Sequence, residues 1–240
     1  MPDAVMKFIA SKNVYNIRNI QTDIYNLYKI DTTKYDLEKK LKTIRIYENI
    51  PSIMGQVKKR IVAKNIENKS NARFSYYQDE FDYLISSGIT HEVKAVSELK
   101  FPLLSSTHKN LLKLYLNDVG ILSNLLFKHN IKAIKDSSLS INLGSLYETA
   151  VASELKIQGY NLSYYDNRNN GEVDFLIDDY NSLFIIPTEV KSGRGYNTYS
   201  ALNKLLHNKS VNQAYVFSNE RTIKKVNNII YLPIYFVSFL

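Results

Sequence analysis

The chain has 240 residues, of which 45% are hydrophobic and 22% are charged, so it can bury one large core or two small ones. The absence of cysteine excludes disulfides, thiolate nucleophiles and cysteine-ligated zinc, and the four scattered histidines show no metal-ligand spacing. The net charge of +8 comes wholly from residues 1–136, where 22 Lys and Arg meet 14 Asp and Glu, because residues 137–240 hold nine of each. A basic first half and a neutral second half suggest two parts with different electrostatic roles.

The sequence predicts neither a signal peptide nor a membrane-spanning segment. Residues 1–4 are not a basic stretch followed by an apolar one, as a signal peptide requires. No run of about 18 uncharged apolar residues is present. A soluble, cytoplasmic protein is therefore the expectation.

Helical spacing of apolar residues predicts two helices near the start of the chain, over 13–28 and 33–50. A short helix is expected around 50–54, with Pro51 near its start. An amphipathic helix is predicted over 72–87, ended by Gly88, and alternation over 89–95 predicts a strand. Helix, turn, helix and β-hairpin is the order of a winged helix-turn-helix, whose second helix would read a DNA groove.

The turn before that second helix is strongly basic. Between residues 58 and 73 six basic side chains meet a single acid, Glu67; the six are Lys58, Lys59, Arg60, Lys64, Lys69 and Arg73. These are the predicted nucleic-acid contacts, and about five neutralised phosphates would make binding fall steeply with salt. The alternative is an ordinary solvated surface between helices, and the pattern alone does not decide between the two.

The middle of the chain joins the two predicted parts. The stretch from Leu111 to Leu126 is too apolar for a surface loop and predicts a buried strand or helix. A linker is expected over 135–140. The domains predicted are therefore a basic, helical part over 1–136 and a second domain over 137–240.

The second half has the pattern of a mixed α/β domain. A helix is expected first, ended by Gly159, and it is followed by three strands, a second helix and two further strands. The predicted bounds are 145–158 for the helix, 160–165, 172–177 and 183–191 for the strands, 198–207 for the second helix, and 213–218 and 229–237 for the last strands.

Charged residues inside two of these strands need an explanation, because the core of a strand rarely carries charge. Asp174 lies between Val173 and Phe175, and Glu189 shares one face of its strand with Lys191. If the two strands pair as a hairpin, the two carboxylates meet near its open end. Carboxylates are the ligands that Mg²⁺ or Mn²⁺ takes beside phosphate, and a neighbouring lysine would orient the attacking water.

Asp174 and the triplet Glu189-Val190-Lys191, preceded by Glu148 in a helix, resemble the core of the PD-(D/E)XK nucleases. Four longer segments, over 113–122, 144–155, 172–175 and 186–192, are similar to the region that follows the ATPase module in archaeal and bacterial AAA-type ATPases. That region is domain-of-unknown-function family 4143. The resemblance extends over nearly the whole chain, since the family also has a winged helix before its nuclease-like domain.

The resemblance implies a winged helix-turn-helix followed by a restriction-endonuclease-like mixed sheet flanked by helices, an α/β (α+β) fold. It implies that Asp174, Glu189 and Glu148 bind Mg²⁺ or Mn²⁺, and that Lys191 acts with Glu189 and Asp174 in catalysis. One departure is Pro187, which requires its strand to be an edge strand or bulged.

A second departure is the absence of a Gly-x-x-x-x-Gly-Lys-Ser/Thr phosphate loop, so no ATP site and no ATP hydrolysis are expected. The chain is expected to be a split, truncated or stand-alone gene product, and an AAA-type ATPase module acting in trans is a candidate partner.

Each site residue also has a purely structural interpretation. Glu148 follows Ser145 by three residues, as in a helix capping box. Asp174 fits a strand-end aspartate, and Glu172 on the same face competes for its role. Glu189 and Lys191 fit an exposed cross-strand ion pair.

The expected function is Mg²⁺-dependent hydrolysis of DNA phosphodiester bonds. The alternative, from another class, is a non-catalytic DNA-binding or partner-docking module of an AAA-type ATPase.

Overall fold

The computed structural model describes residues 2–31, 37–135, 142–193 and 199–240, with the backbone alone at 2, 37–40, 109, 110, 133 and 135. The chain forms two compact units. Unit 1 comprises Met1–His91 and Leu114–Ile141, and unit 2 comprises Glu92–Lys113 and Asn142–Leu240. Unit 1 holds 18 Lys and Arg against 12 Asp and Glu, and unit 2 holds 13 against 11, so most of the positive charge belongs to unit 1.

Unit 1 is helical. Its helices are α1 (Pro2–Ser11), α2 (Val14–Asp31), α3 (Leu37–Met54), α4 (Lys64–Glu67), α5 (Gln78–Ser86), α6 (Val119–Phe127) and α7 (Lys132–Lys135), with a 3₁₀ turn at Phe74–Tyr77. The separate short helix expected around 50–54 is wrong, because α3 runs through Pro51 to Met54. The proline lies only a few residues from the end of the helix, and Gly55 N–H still closes a turn on Pro51 O at 3.2 Å.

A polar network in unit 1 holds α6 against α2. Asp118 is the N-cap of α6, and its Oδ1 accepts the N–H of Gly120 at 2.7 Å. The buried Arg18 donates to Ser123 Oγ at 2.6 Å, and Asn124 Nδ2 donates to Arg18 O at 3.0 Å. The apolar stretch predicted as a strand or a helix thus contains both, since it covers the end of a strand and then α6.

Within the described residues the strands form one mixed sheet of eight strands in the order β2-β1-β3-β4-β5-β6-β8-β7. The strands are β1 (Thr90–Val96), β2 (Thr107–Leu116), β3 (Ser163–Asn167), β4 (Gly171–Asp179), β5 (Phe184–Val190), β6 (Ala214–Ser218), β7 (Lys224–Val226) and β8 (Ile229–Pro233). Strands β3, β4 and β5 form an antiparallel meander, whereas β1 with β3, β5 with β6, and β6 with β8 pair in parallel. The mixed α/β class with a mixed sheet is therefore confirmed.

The elements predicted for the second half are present with small shifts. The first helix is α8 (Gly144–Ile157) and the second is α9 (Ser200–Leu205), whose apolar residues pack on the sheet. The last predicted strand, over 229–237, is β8 followed by a 3₁₀ helix over Ile234–Phe239. Of the linker predicted over 135–140, only Lys135, the last residue of α7, falls within the described residues. Among the helices of those residues, none combines the length and the apolar character that a membrane crossing requires.

The prediction that Pro187 makes its strand an edge or bulged strand is wrong. β5 lies between β4 and β6, and its ladder to β4 passes through the pair Pro187↔Leu176 without a shift. The ladder to β6 begins only at Thr188, one residue after the proline. The N–H groups of Ile185 and Lys191 point to the side of β6, so the missing N–H of Pro187 falls where no strand is paired.

Candidate active site

A β-bulge in β4 sets the position of Asp174. The register pairs Ser163 with Leu176 and Tyr165 with Val173, which leaves one residue of β3 opposite two of β4, Asp174 and Phe175. Bulges of this kind re-aim side chains and occur often beside active sites. Here Asp174 Oδ2 accepts the N–H of Val190 at 2.8 Å, just beyond the pair Phe175↔Thr188 of the β4–β5 ladder. The pairing of the two strands therefore places Asp174 beside the end of β5.

Glu189 and Lys191 form a close ion pair at the end of β5. Lys191 Nζ donates to Glu189 Oε2 at 2.6 Å. Glu189 is 6% exposed, so this is not the exposed surface pair of the structural interpretation. A buried charge of this kind is costly unless hydrogen bonds or counter-charges compensate it.

The pKa values of Glu189 and Lys191 are both raised. The pKa of Glu189 is raised to about 8, first by burial and then by the negative charge of Asp174, against the opposing effect of Lys191. Burial lowers the pKa of Lys191, but the charges of Glu189 and Asp174 outweigh this effect and the net pKa is raised. One more cation near Glu189 would therefore favour the ionised form of this carboxylate.

Glu148 does not form the predicted capping box. Leu143 is the N-cap of α8 and makes no side-chain cap bond, so Ser145 lies inside the first turn and is buried. Glu148 is also buried, one turn further along α8. A methyl group placed on Gly144 would lie 3.9 Å from Glu148 Oε1 and 3.9 Å from Ser192 Oγ, so the start of α8 meets the chain just after β5. The negative charge of Glu148 contributes to the raised pKa of Lys191.

A second lysine, which the sequence patterns gave no role, belongs to this cluster. Lys113 on β2 is 1% exposed and donates to Glu172 Oε1 at 2.5 Å. Burial lowers its pKa, but Glu172, Asp174 and Glu148 outweigh burial and the net pKa is raised. The signal was present in the sequence, because Lys113 interrupts a run of leucines in the same way that Asp174 interrupts its strand.

The residues present fit a hard divalent cation with two protein carboxylates. Within the described residues, no group of three or more His, Cys, Asp or Glu is arranged to hold a metal ion. Asp174 and Glu189 remain as an all-oxygen pair, and Mg²⁺ characteristically takes one or two carboxylates and completes its shell with water and phosphate oxygens. The third ligand predicted from the sequence, Glu148, stays a prediction.

The predicted nucleic-acid residues lie in unit 1, between the end of α3 and the 3₁₀ turn. Lys58, Lys64 and Arg73 are exposed, as is Lys69, which forms an ion pair with Glu67 at 3.2 Å. Lys59 and Arg60 are half-buried.

α5 corresponds to the predicted groove-reading helix, but its charge is unfavourable for contact with DNA. It contains three acids, Asp79, Glu80 and Asp82, and no basic residue. An acidic helix is repelled by the phosphate backbone of DNA. Contact with nucleic acid would therefore fall to the basic residues before it.

The fold and the site define a two-unit α/β protein whose sheet carries a cluster of carboxylates and lysines. Residues 143–237 match the model of the domain of unknown function DUF4143, which confirms the predicted similarity for that region. Residues 1–132 match a different model, the domain of unknown function DUF8612. Because this second match covers more than half of the 240 residues, the protein belongs to the DUF8612 family. No curated protein and no solved structure matches the chain.

Proposed function

We propose that unit 2 is a PD-(D/E)XK-like nuclease that hydrolyses DNA phosphodiester bonds with Mg²⁺ or Mn²⁺. The observation that carries the proposal is the convergence of Asp174, Glu189 and Lys191 at the open end of the β4–β5 hairpin. A buried ion pair alone has a structural explanation. An ion pair beside a second carboxylate, Asp174, which opposes the ionisation of Glu189, is better explained as a cation site.

Each residue has a distinct role in the proposed reaction. Asp174 and Glu189 would hold the divalent cation, which supplies Lewis-acid stabilisation of the charge that builds on the phosphate. Lys191, with its amino group beside Glu189, would orient the attacking water and donate to a phosphate oxygen. Glu148 would add negative charge from α8.

The basic residues between 58 and 73 would hold the DNA backbone. Four of the six are exposed, and most of the excess positive charge of the chain belongs to the same unit. Sequence-independent contacts with phosphates are the mode of binding that such a segment favours. A winged-helix arrangement of this unit, and an AAA-type ATPase module as a partner in trans, rest on the sequence resemblance.

The proposal is tested by incubating the full chain with labelled duplex and single-stranded DNA in Mg²⁺, Mn²⁺ or EDTA. Cleavage is expected in either metal and absent in EDTA and in Glu189→Ala. The matched control is Lys224→Ala, which removes an exposed lysine paired with Glu220, and it should cleave like wild type. Cleavage that persists unchanged in Glu189→Ala would contradict the assignment of the site.

A partner-docking module is the second candidate, and α1 favours it. Val5, Met6 and Ile9 are each more than half exposed, although apolar side chains in this number usually find a covering surface. This candidate predicts that the wild-type chain leaves DNA intact with every metal and does not bind it at low salt.

A further inference from the structure

Lys113 is a buried lysine beside the proposed metal site. Removing an ammonium group from water is costly unless partners compensate it. Two partners are present: Glu172 accepts from Nζ at 2.5 Å, and the centre of the Tyr164 ring lies 4.3 Å from Nζ. A carboxylate and the face of an aromatic ring both stabilise a cation, so these two contacts hold the ammonium group of Lys113 in place.

Its partner Glu172 is the carboxylate that competes with Asp174 on β4. The two lie two residues apart, and either could serve as the strand carboxylate of the metal site. Their contacts differ, because Glu172 bonds to Lys113 whereas Asp174 bonds to the backbone of Val190 beside Glu189. The two lysines of the cluster thus hold different glutamates, since Lys191 holds Glu189.

We propose that Lys113 is a positioning residue that binds Glu172 and keeps this carboxylate out of the metal site, so that Asp174, and not Glu172, joins Glu189 in holding the divalent cation. The inference rests on the proposed function, since it concerns the same site. An ammonium at 2.5 Å largely cancels the charge of Glu172. Glu172 then neither binds the metal nor adds repulsion between the remaining carboxylates.

The test is the binding of Mn²⁺ to the full chain, followed by the electron paramagnetic resonance signal of free Mn²⁺. Glu172→Gln removes the carboxylate that Lys113 contacts and so adds net positive charge near the site, and the Mn²⁺ dissociation constant should rise about tenfold or more. Lys113→Gln/Glu172→Gln removes both charges, and its dissociation constant should return to within about threefold of wild type. Loss of a true metal ligand is recovered only in part when a neighbouring lysine is removed, because the ligand oxygen is not replaced.

The inference is overturned if the double variant binds Mn²⁺ as weakly as Glu172→Gln, because Glu172 would then be a ligand itself. An unchanged dissociation constant in Glu172→Gln also contradicts it, since the released ammonium would have no effect on the site. If the glutamine variants fail to fold, Lys113→Met/Glu172→Leu gives the same decision, because apolar residues often replace a buried ion pair without loss of stability.

The failure of the inference is distinguishable from the failure of the proposed function. A wild-type chain that binds no Mn²⁺ overturns both. The inference alone is overturned by a different set of results. In that set, wild type binds Mn²⁺, Glu189→Ala does not, and Lys113→Gln/Glu172→Gln binds it as weakly as Glu172→Gln.

Discussion

Glu189 links the candidate site to the stability of the fold. Its pKa is raised to about 8, mainly by burial and then by the charge of Asp174, whereas the ordinary value is 4.5. Between these two pH values the folded state holds a proton that the unfolded state releases. The stabilising contribution is therefore complete below pH 4.5 and is lost as the pH rises through 8.

Replacement of Glu189 by glutamine should remove this pH dependence. In EDTA, the free energy of unfolding of wild type should fall between pH 5 and 8 more steeply than that of Glu189→Gln, by at most about 1.4 kcal/mol per pH unit. Urea denaturation at several pH values measures both slopes. Equal slopes in the two proteins would mean that Glu189 ionises in the folded state as it does in water.

Residue by residue, the sequence identified most of the cluster but not its geometry. Asp174, Glu189 and Lys191 could be predicted because charge inside an apolar strand is unusual. The choice between Asp174 and Glu172 could not be made, since both lie on one predicted face. The structure separates them through a bulge and through Lys113, which comes from a strand more than 50 residues earlier in the chain.

At the end of the backbone ladder of the β4–β5 hairpin, the side chain of Asp174 makes a further hydrogen bond between the two strands. Asp174 accepts the N–H of the buried Val190, which would otherwise lack this acceptor. We expect Asp174→Ala to destabilise the fold by about 1–3 kcal/mol, and Asp174→Asn, which keeps an acceptor oxygen, by clearly less. Urea denaturation of the two variants measures the difference, and equal losses would show that the bond to Val190 contributes little.

The start of α6 is fixed by Asp118, whose Oδ1 accepts the N–H groups of Gly120 at 2.7 Å and Ile121 at 3.2 Å. Loss of an N-cap acceptor costs about 1 kcal/mol, so Asp118→Ala should lower the free energy of unfolding by that amount, whereas Asp118→Asn should retain most of it. Chemical denaturation of both variants tests the assignment. An Asp118→Ala variant as stable as wild type would contradict it.

At the scale of elements, the periodicity of apolar residues predicted individual helices and strands but not the pairing of strands. The helices and strands predicted for the second half lie within a few residues of the observed ones, because their apolar residues follow the burial of each element. The short, exposed strand β7 was not predicted. The parallel pairing of β1 with β3 could not be predicted, since it joins segments about 70 residues apart. The spacing of apolar residues within a strand does not depend on which strand it pairs with. The negative charge of α5 could have been predicted, because its three acids stand in the sequence without a basic residue among them.

Over the whole molecule, the distribution of charge predicts how DNA binding responds to salt. Each phosphate contact contributes a slope of about −0.9 to the dependence of log affinity on log salt. Replacement of the exposed Lys58, Lys64 and Arg73 by alanine should therefore reduce the magnitude of the slope by about 2–3. Fluorescence anisotropy between 50 and about 200 mM salt measures it.

The matched control for this experiment replaces three exposed lysines of unit 2, Lys209, Lys224 and Lys225, by alanine. The total charge then changes equally, but the slope should stay near that of wild type. Equal effects of the two triple variants would show that DNA responds to the net charge of the chain and not to the basic segment of unit 1.

The most direct test of metal-dependent DNA hydrolysis measures Mn²⁺ binding and DNA cleavage on the same preparations of wild type, Glu189→Ala and Lys191→Met. The predicted result is that wild type binds Mn²⁺ and cleaves, Glu189→Ala loses both, and Lys191→Met keeps Mn²⁺ while losing cleavage. Wild-type protein that binds Mn²⁺ yet leaves all DNA intact, or variants that cleave as wild type does, would contradict the account.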